Sequence, residues 1–179
     1  MRAVLVSEFG GPERLRLDRA ADPVAGPGQV RIAVHAAGVN PVDASNRADG
    51  RWAGLHVPCI LGYDIAGVID SVGPGVSGFA AGDRVMAMTH FPDGAGGYAE
   101  LTVVDAGLAA PVSSAVSFAE AAATPLAAGT ARVVLSPAGS GGREPAAGAG
   151  WQRRCRAVFA PAGGRRRNHD DRGWPPGHA

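Results

Sequence analysis

Side chains able to do chemistry are sparse in this 179-residue chain, and their spacing argues against several chemistries at once. Cys59 and Cys155 lie far apart. They cannot frame a disulfide scaffold, nor a structural zinc site, which takes about four ligands. Cys59 sits in the apolar run VPCILG and reads as a buried, inert thiol. His35, His56, His90, His169 and His178 show no ligand spacing. Gly139–Glu144 (GSGGRE) is glycine-rich, yet no apolar strand precedes it and no lysine follows, so it does not read as a phosphate loop. Asn40, directly before Pro41, carries an amide that both donates and accepts. It could orient a carbonyl or carboxamide, or simply cap a turn. No strong general acid is evident.

Any such group must be positioned by short strands. Val30, Ile32 and Val34 alternate with Arg31, Ala33 and His35, the period of a strand with one buried face. Similar runs occur at Ala3–Val6, Asp64–Ile69, Arg84–Met88 and Tyr98–Val104, separated by turn signals at 26–29, 73–78 and 92–97. Gly62, Gly67 and Gly73 suit close strand approach or positive φ. In GDRV, Asp83 is expected to bond local backbone N–H groups at a turn entering a buried strand. This spacing predicts a mainly β fold: a closed or nearly closed antiparallel barrel with a few helices. Ser117 and Glu120 fit a capping box, and Thr124 followed by Pro125 fits an N-cap opening a second helix over 126–135.

Composition changes near Ser136. Residues 1–135 carry 9 arginines against 13 acids, and residues 136–179 carry 8 against 3. Glycine and proline make up about a third of the later segment, which has no Leu or Ile and reads as an irregular or disordered tail. The expected organisation is therefore a β domain over 1–116, a helical connector over 117–135 and a Gly/Arg/Pro-rich tail over 136–179. The abrupt change suggests a frameshift near Ser136. No run of 18 apolar residues suggests a membrane span, and the N-terminus does not read as a signal peptide, so a cytoplasmic location is the default. The tail arginines could meet anionic surfaces nonspecifically, but no specific nucleic-acid partner is expected.

Four motifs, in order, resemble the zinc-free quinone oxidoreductase branch of the medium-chain dehydrogenase/reductase superfamily: AAGVNPVDASNR (36–47), ILGYDIAGVIDSVGPGVSGFAAGDRV (60–85), GGYAEL (96–101) and SFAEAAATPLAAGTA (117–131). The resemblance implies a GroES-like catalytic domain, followed in full-length relatives by a Rossmann domain that is expected to be missing here. Zinc-using relatives carry Cys-Gly-x-Asp where this chain has Asn40-Pro41-Val42-Asp43, and Gly-His-Glu where it has Gly62-Tyr63-Asp64. No zinc is therefore expected. The implied chemistry is hydride transfer from NADPH to a small-molecule quinone or α,β-unsaturated carbonyl, with the protein mainly positioning the partners.

Within that resemblance Asn40 matches an asparagine near the nicotinamide and substrate. Ser45 falls where some relatives have a cleft tyrosine, and Arg47 matches an arginine near the same cleft, though it could instead pair with Asp43 or Asp49. Trp52 could line the substrate pocket or serve as a core or rim aromatic. Thr130 matches a threonine near the cofactor, or bonds back to its own helix turn. Tyr63 is read as packing. Without a Rossmann fold the chain is expected to bind NADPH weakly and to be weak or inactive alone. The alternatives are a non-catalytic GroES-like binding or assembly module, with a homodimer compatible, and a non-functional gene product.

Overall fold

A computed structural model describes residues 1–91 and 96–135. The expected tail, its GSGGRE segment, Cys155 and the proposed frameshift lie outside the described residues. In chain order the strands are β1 (Arg2–Val6), β2 (Leu15–Arg19), β3 (Gln29–Gly38), β4 (Cys59–Ile60), β5 (Asp64–Val72), β6 (Arg84–Met88), β7 (Leu101–Asp105) and β8 (Ala109–Pro111). The helices are α1 (Pro41–Asp49), α2 (Phe118–Ala122) and α3 (Pro125–Leu135). The fold is mainly β, as the alternation predicts.

Among the described residues every strand pairing is antiparallel, in two sheets ordered β2-β1-β4 and β7-β3-β5-β6-β8. The expected barrel does not close among the described residues. The seam between the sheets is a single bridge, Ala3 to Ala99, flanked by Val4 N–H to Tyr98 O at 2.8 Å and Glu100 N–H to Arg2 O at 3.0 Å. The reason is local. Glu100 O also accepts from Val34 N–H at 2.9 Å, so the segment before β7 serves both sheets by isolated bonds rather than one continuous ladder.

The main core lies on one face of the larger sheet. Val30 and Ile32 from β3 pack with Ile65, Ile69, Val85 and Val104, each at most 1% exposed, and Val34 packs partly buried against them. β3 bulges between Val34 and Ala36. Beyond the bulge, Ala36 joins Ala66, Met86 and Ala110 on the opposite face, where α2 supplies Ala121, Ala122 and Phe118. One strand thus feeds two packing layers, because the extra residue of a bulge exchanges the faces of the residues beyond it. Asp83 behaves as expected: its Oδ2 accepts from Ala80 N–H at 2.8 Å where the chain enters β6.

β2 was not anticipated. Its burial pattern is one half-buried residue followed by four exposed, so LRLDR carries no periodic signal. It exists because β1 offers it a five-residue ladder, Arg2 to Arg19 through Val6 to Leu15. α1 was also unanticipated. Asn40, Pro41 and Asp43 supply its N-cap, first position and third position.

Gly67 on β5 lies against β3, where an added Cβ would fall 2.0 Å from Ala33 O. The two nearest atoms are Ala33 backbone, which cannot yield as the far end of a flexible side chain would. Gly67→Ala is expected to destabilise the chain by about 2–4 kcal/mol, read as a lower urea midpoint with an unchanged slope. A midpoint equal to the parent's would contradict this packing.

Candidate functional site

Asn40 ends the tight run after β3 and begins α1, with extended backbone at φ −120° and ψ 156°. Its own N–H donates to Asp43 Oδ2 at 2.8 Å, the carboxylate arm of a capping box. Its side-chain Nδ2 donates to Asp64 Oδ2 at 3.0 Å. An ionised carboxylate only accepts, so this contact decides which end of the amide is NH2 and which is oxygen. Asp64 opens β5 and is 1% exposed. Its other oxygen, Oδ1, accepts from Leu126 N–H at 2.9 Å, in the first turn of α3.

This corrects the expected cap of α3. The Thr124 hydroxyl turns back to Glu120 O at 2.9 Å, closing α2. A free amide at the start of α3 is satisfied instead by a carboxylate 62 residues away in sequence. The Ser117–Glu120 box does form as expected, with Ser117 N–H to Glu120 Oε2 at 2.9 Å and Glu120 N–H to Ser117 Oγ at 3.2 Å.

A second buried carboxylate lies beside the first. Asp43, 3% exposed, accepts from Gly62 N–H through Oδ1 at 3.2 Å. The Tyr98 hydroxyl stands between two acceptors, the Gly38 carbonyl at 3.3 Å and the Asp43 carboxylate. Burial pushes Asp64 up to about 6, against the Asn40 and Leu126 donors that favour its charge, and the Asp43 charge pushes the same way. Burial also raises Asp43, opposed by its bonds to Asn40, Tyr98 and Gly62. Tyr98 is pushed up, first by burial and then by the Asp43 charge, so its hydroxyl stays protonated.

Of the five residues singled out from sequence, only Asn40 enters this cluster. Ser45 is exposed on α1, with Oγ bonded back to Pro41 O at 3.3 Å. Arg47 pairs with neither Asp43 nor Asp49. Its Nε donates to Gly10 O at 3.2 Å while Gly10 N–H donates to Arg47 O at 2.8 Å, tying the loop after β1 to α1. Asp49 binds Arg51 instead, at 2.8 Å. Trp52 lies on the short turn Arg51–Ala53 and is 60% exposed, so it is not a core aromatic. Thr130 is exposed on α3.

Tyr63 packs as expected, fully buried, its ring edge-on to Phe91 at 5.2 Å. Its hydroxyl accepts from Asn46 Nδ2 at 2.6 Å, a buried pair not foreseen from the sequence. Asp43, Asp64 and Tyr98 were not foreseen either. The available signal was the Asn-x-x-Asp spacing of 40 and 43, a capping-box pattern. Nothing local marks Asp64 or Tyr98, because their partners lie far away in sequence.

Among the described residues, no group of three or more His, Cys, Asp or Glu side chains is gathered as a metal site. A cavity of about 470 Å³ beside α2, lined by Met86, Val112, Val116 and Thr124 among others, does not include the Asn40 cluster.

The Alcohol dehydrogenase GroES-like domain family matches residues 26–114. The chain is 42% identical over 124 residues to quinone oxidoreductase of Rattus norvegicus, covering 69% of this chain and 37% of that protein. The quinone oxidoreductase structure from Coxiella burnetii superposes with a TM-score of 0.71 at 32% identity, over 75% of this chain and 44% of that one. The chain belongs to the medium-chain dehydrogenase/reductase superfamily, in its quinone oxidoreductase-like branch. A further member of the neighbourhood, a mycobacterial protein solved in complex with NADPH, has a TM-score of 0.67 at 33% identity, over 76% of this chain and 41% of that one. The chain thus spans less than half the length of these quinone oxidoreductase-like relatives. Among the described residues no helix is long and apolar enough to cross a membrane.

The raised Asp64 has a sign that can be tested. The folded state holds its proton more tightly than the unfolded chain does, so its contribution to stability is full below about pH 4 and is lost as pH rises through about 6. Urea midpoints should therefore fall between pH 5 and pH 7 by more in the parent than in Asp64→Asn, which has no proton to lose. Equal pH dependence in the two proteins would refute the assignment.

Proposed function

We propose that this chain provides the substrate side of an NADPH-dependent reduction of quinones or α,β-unsaturated carbonyls, without zinc. The observation that carries the reading is Asn40: a helix-capping residue whose amide is held in one orientation by a buried carboxylate. A pre-oriented donor–acceptor of this kind suits a carbonyl or carboxamide, and orientation is most of what the protein must supply. The family supports the reaction class, and the mycobacterial relative with NADPH supports the cofactor.

When bound, NADPH supplies the hydride. The residues here fit its nicotinamide end, where Asn40 would orient the carboxamide or the substrate carbonyl and Thr130 would lie on the cofactor side. They do not fit its pyrophosphate end. That end calls for a parallel strand, a glycine turn and a helix N-terminus, and every strand pairing among the described residues is antiparallel. The donor set at the zinc position argues in the same direction as the cofactor. Asn40 and Asp64 bond to each other, and Tyr63 bonds to Asn46, so neither a thiolate nor an imidazole stands there. Ser45, Arg47 and Trp52 remain proposed contacts to the substrate, with Trp52 at the rim rather than in the core.

The 179-residue chain alone should act weakly. Calorimetric titration of NADPH is expected to give a dissociation constant no tighter than about millimolar, worth ~4 kcal/mol. Micromolar binding would overturn that. With several millimolar NADPH, a quinone series should give slow, acceptor-dependent oxidation that drops at least about tenfold in Asn40→Ala. A rate equal to the protein-free blank, or one unchanged in Asn40→Ala, would contradict the proposed site.

A further inference from the structure

We propose that Asp64 is a positioning residue that locks the Asn40 amide and the first turn of α3 into one unit, so that the substrate-side asparagine and the cofactor-side helix move together.

Asp64 has two oxygens and uses one for each element, Oδ2 for Asn40 Nδ2 at 3.0 Å and Oδ1 for Leu126 N–H at 2.9 Å. Both partners donate, so the two contacts together are strongest when both oxygens are free to accept, as in the ionised carboxylate. The side chain has little room to turn. A Cβ added at Gly38 would fall 2.9 Å from Asp64 Cβ and 3.4 Å from its Oδ2, so the end of β3 closes on the side chain from that side. The other polar groups facing it are Asp43, whose charge opposes that of Asp64, and Tyr98, whose proton is retained.

Two consequences separate this role from that of an ordinary buried cap. An asparagine at 64 has one oxygen and one NH2, so it can satisfy Asn40 or Leu126 but must set its own donor against the other. Protonation of Asp64 acts in the same sense, since it removes the charge that strengthens both bonds and sets a donor beside two donors. Burial places that event at about pH 6, inside the range where the protein can be handled.

The significance for turnover rests on the role proposed for Asn40; the coupling itself does not, and it is tested without cofactor or substrate. Nitrogen-15 NMR of the 179-residue chain between pH 5 and 8 should show the Asn40 side-chain NH2 and the Leu126 amide titrating with one shared midpoint near 6. In Asp64→Asn both inflections should vanish, while the Glu120 amide of the α2 cap keeps its own pH profile. In Asn40→Ala the Leu126 midpoint should rise by about one unit, because the carboxylate loses a donor that favours its charge. Separate midpoints for the two signals, inflections that survive in Asp64→Asn, or a Leu126 midpoint unmoved by Asn40→Ala would each overturn the proposal. Should Asp64→Asn not fold, the shared midpoint in the parent chain still decides. A failure here with Asn40-dependent turnover intact would sink the coupling and leave the functional reading standing. The opposite pattern would do the reverse.

Discussion

A carboxylate buried between two helices constrains this domain more than any other single group. Placing charge out of water costs several kcal/mol unless donors replace the lost hydration. Asp64 is 1% exposed and has two such donors, one from each helix. Neither donor could be withdrawn cheaply, because a buried carboxylate missing a partner is worse than no carboxylate at all. The start of β5, the N-cap of α1 and the first turn of α3 are therefore mutually fixed. Asp43 repeats the device one step away, joining the Asn40 and Gly62 amides. Two adjacent carboxylates in one buried place repel each other, and the structure accepts that repulsion where it orients Asn40.

Four strands of the larger sheet, β3, β5, β6 and β7, were legible and β8 was not; burial on one face writes a period of two into a sequence. Val30, Ile32 and Val34 show this, while the runs that became β5 and β6 were legible as continuous apolar stretches, since both of their faces are covered. The α2 cap was legible because Ser117 and Glu120 satisfy each other within one turn. Features whose partners are remote were not legible. β2 is a strand only because β1 is beside it. Thr124 has the right type and place to cap α3, yet it closes α2, and Asp64 takes the work from another layer of the fold. Asn46 sits fully buried in α1, where a polar residue normally reads as solvated surface, because Tyr63 meets it. Whether the barrel closes was not legible for a related reason. Spacing of strands reports their number, and closure depends on one short seam at Ala3 and Ala99.

Family and geometry contribute different parts of the functional account. Similarity to quinone oxidoreductases gives the family, on a match that spans less than half of each of those relatives. The structure holds Asn40 by two hydrogen bonds to buried carboxylates, whereas Ser45 and Trp52 are exposed. Arg47 also ties α1 to the loop after β1, since its guanidinium donates to the Gly10 carbonyl.

The central claim, that Asn40 and Asp64 act as one unit, is tested most directly by a double-mutant cycle on unfolding free energy at pH 7.5, with Asn40→Ala, Asp64→Asn and the two combined. A coupling energy of about 1–3 kcal/mol is the predicted result. Additivity of the two substitutions to within about 0.5 kcal/mol would contradict it.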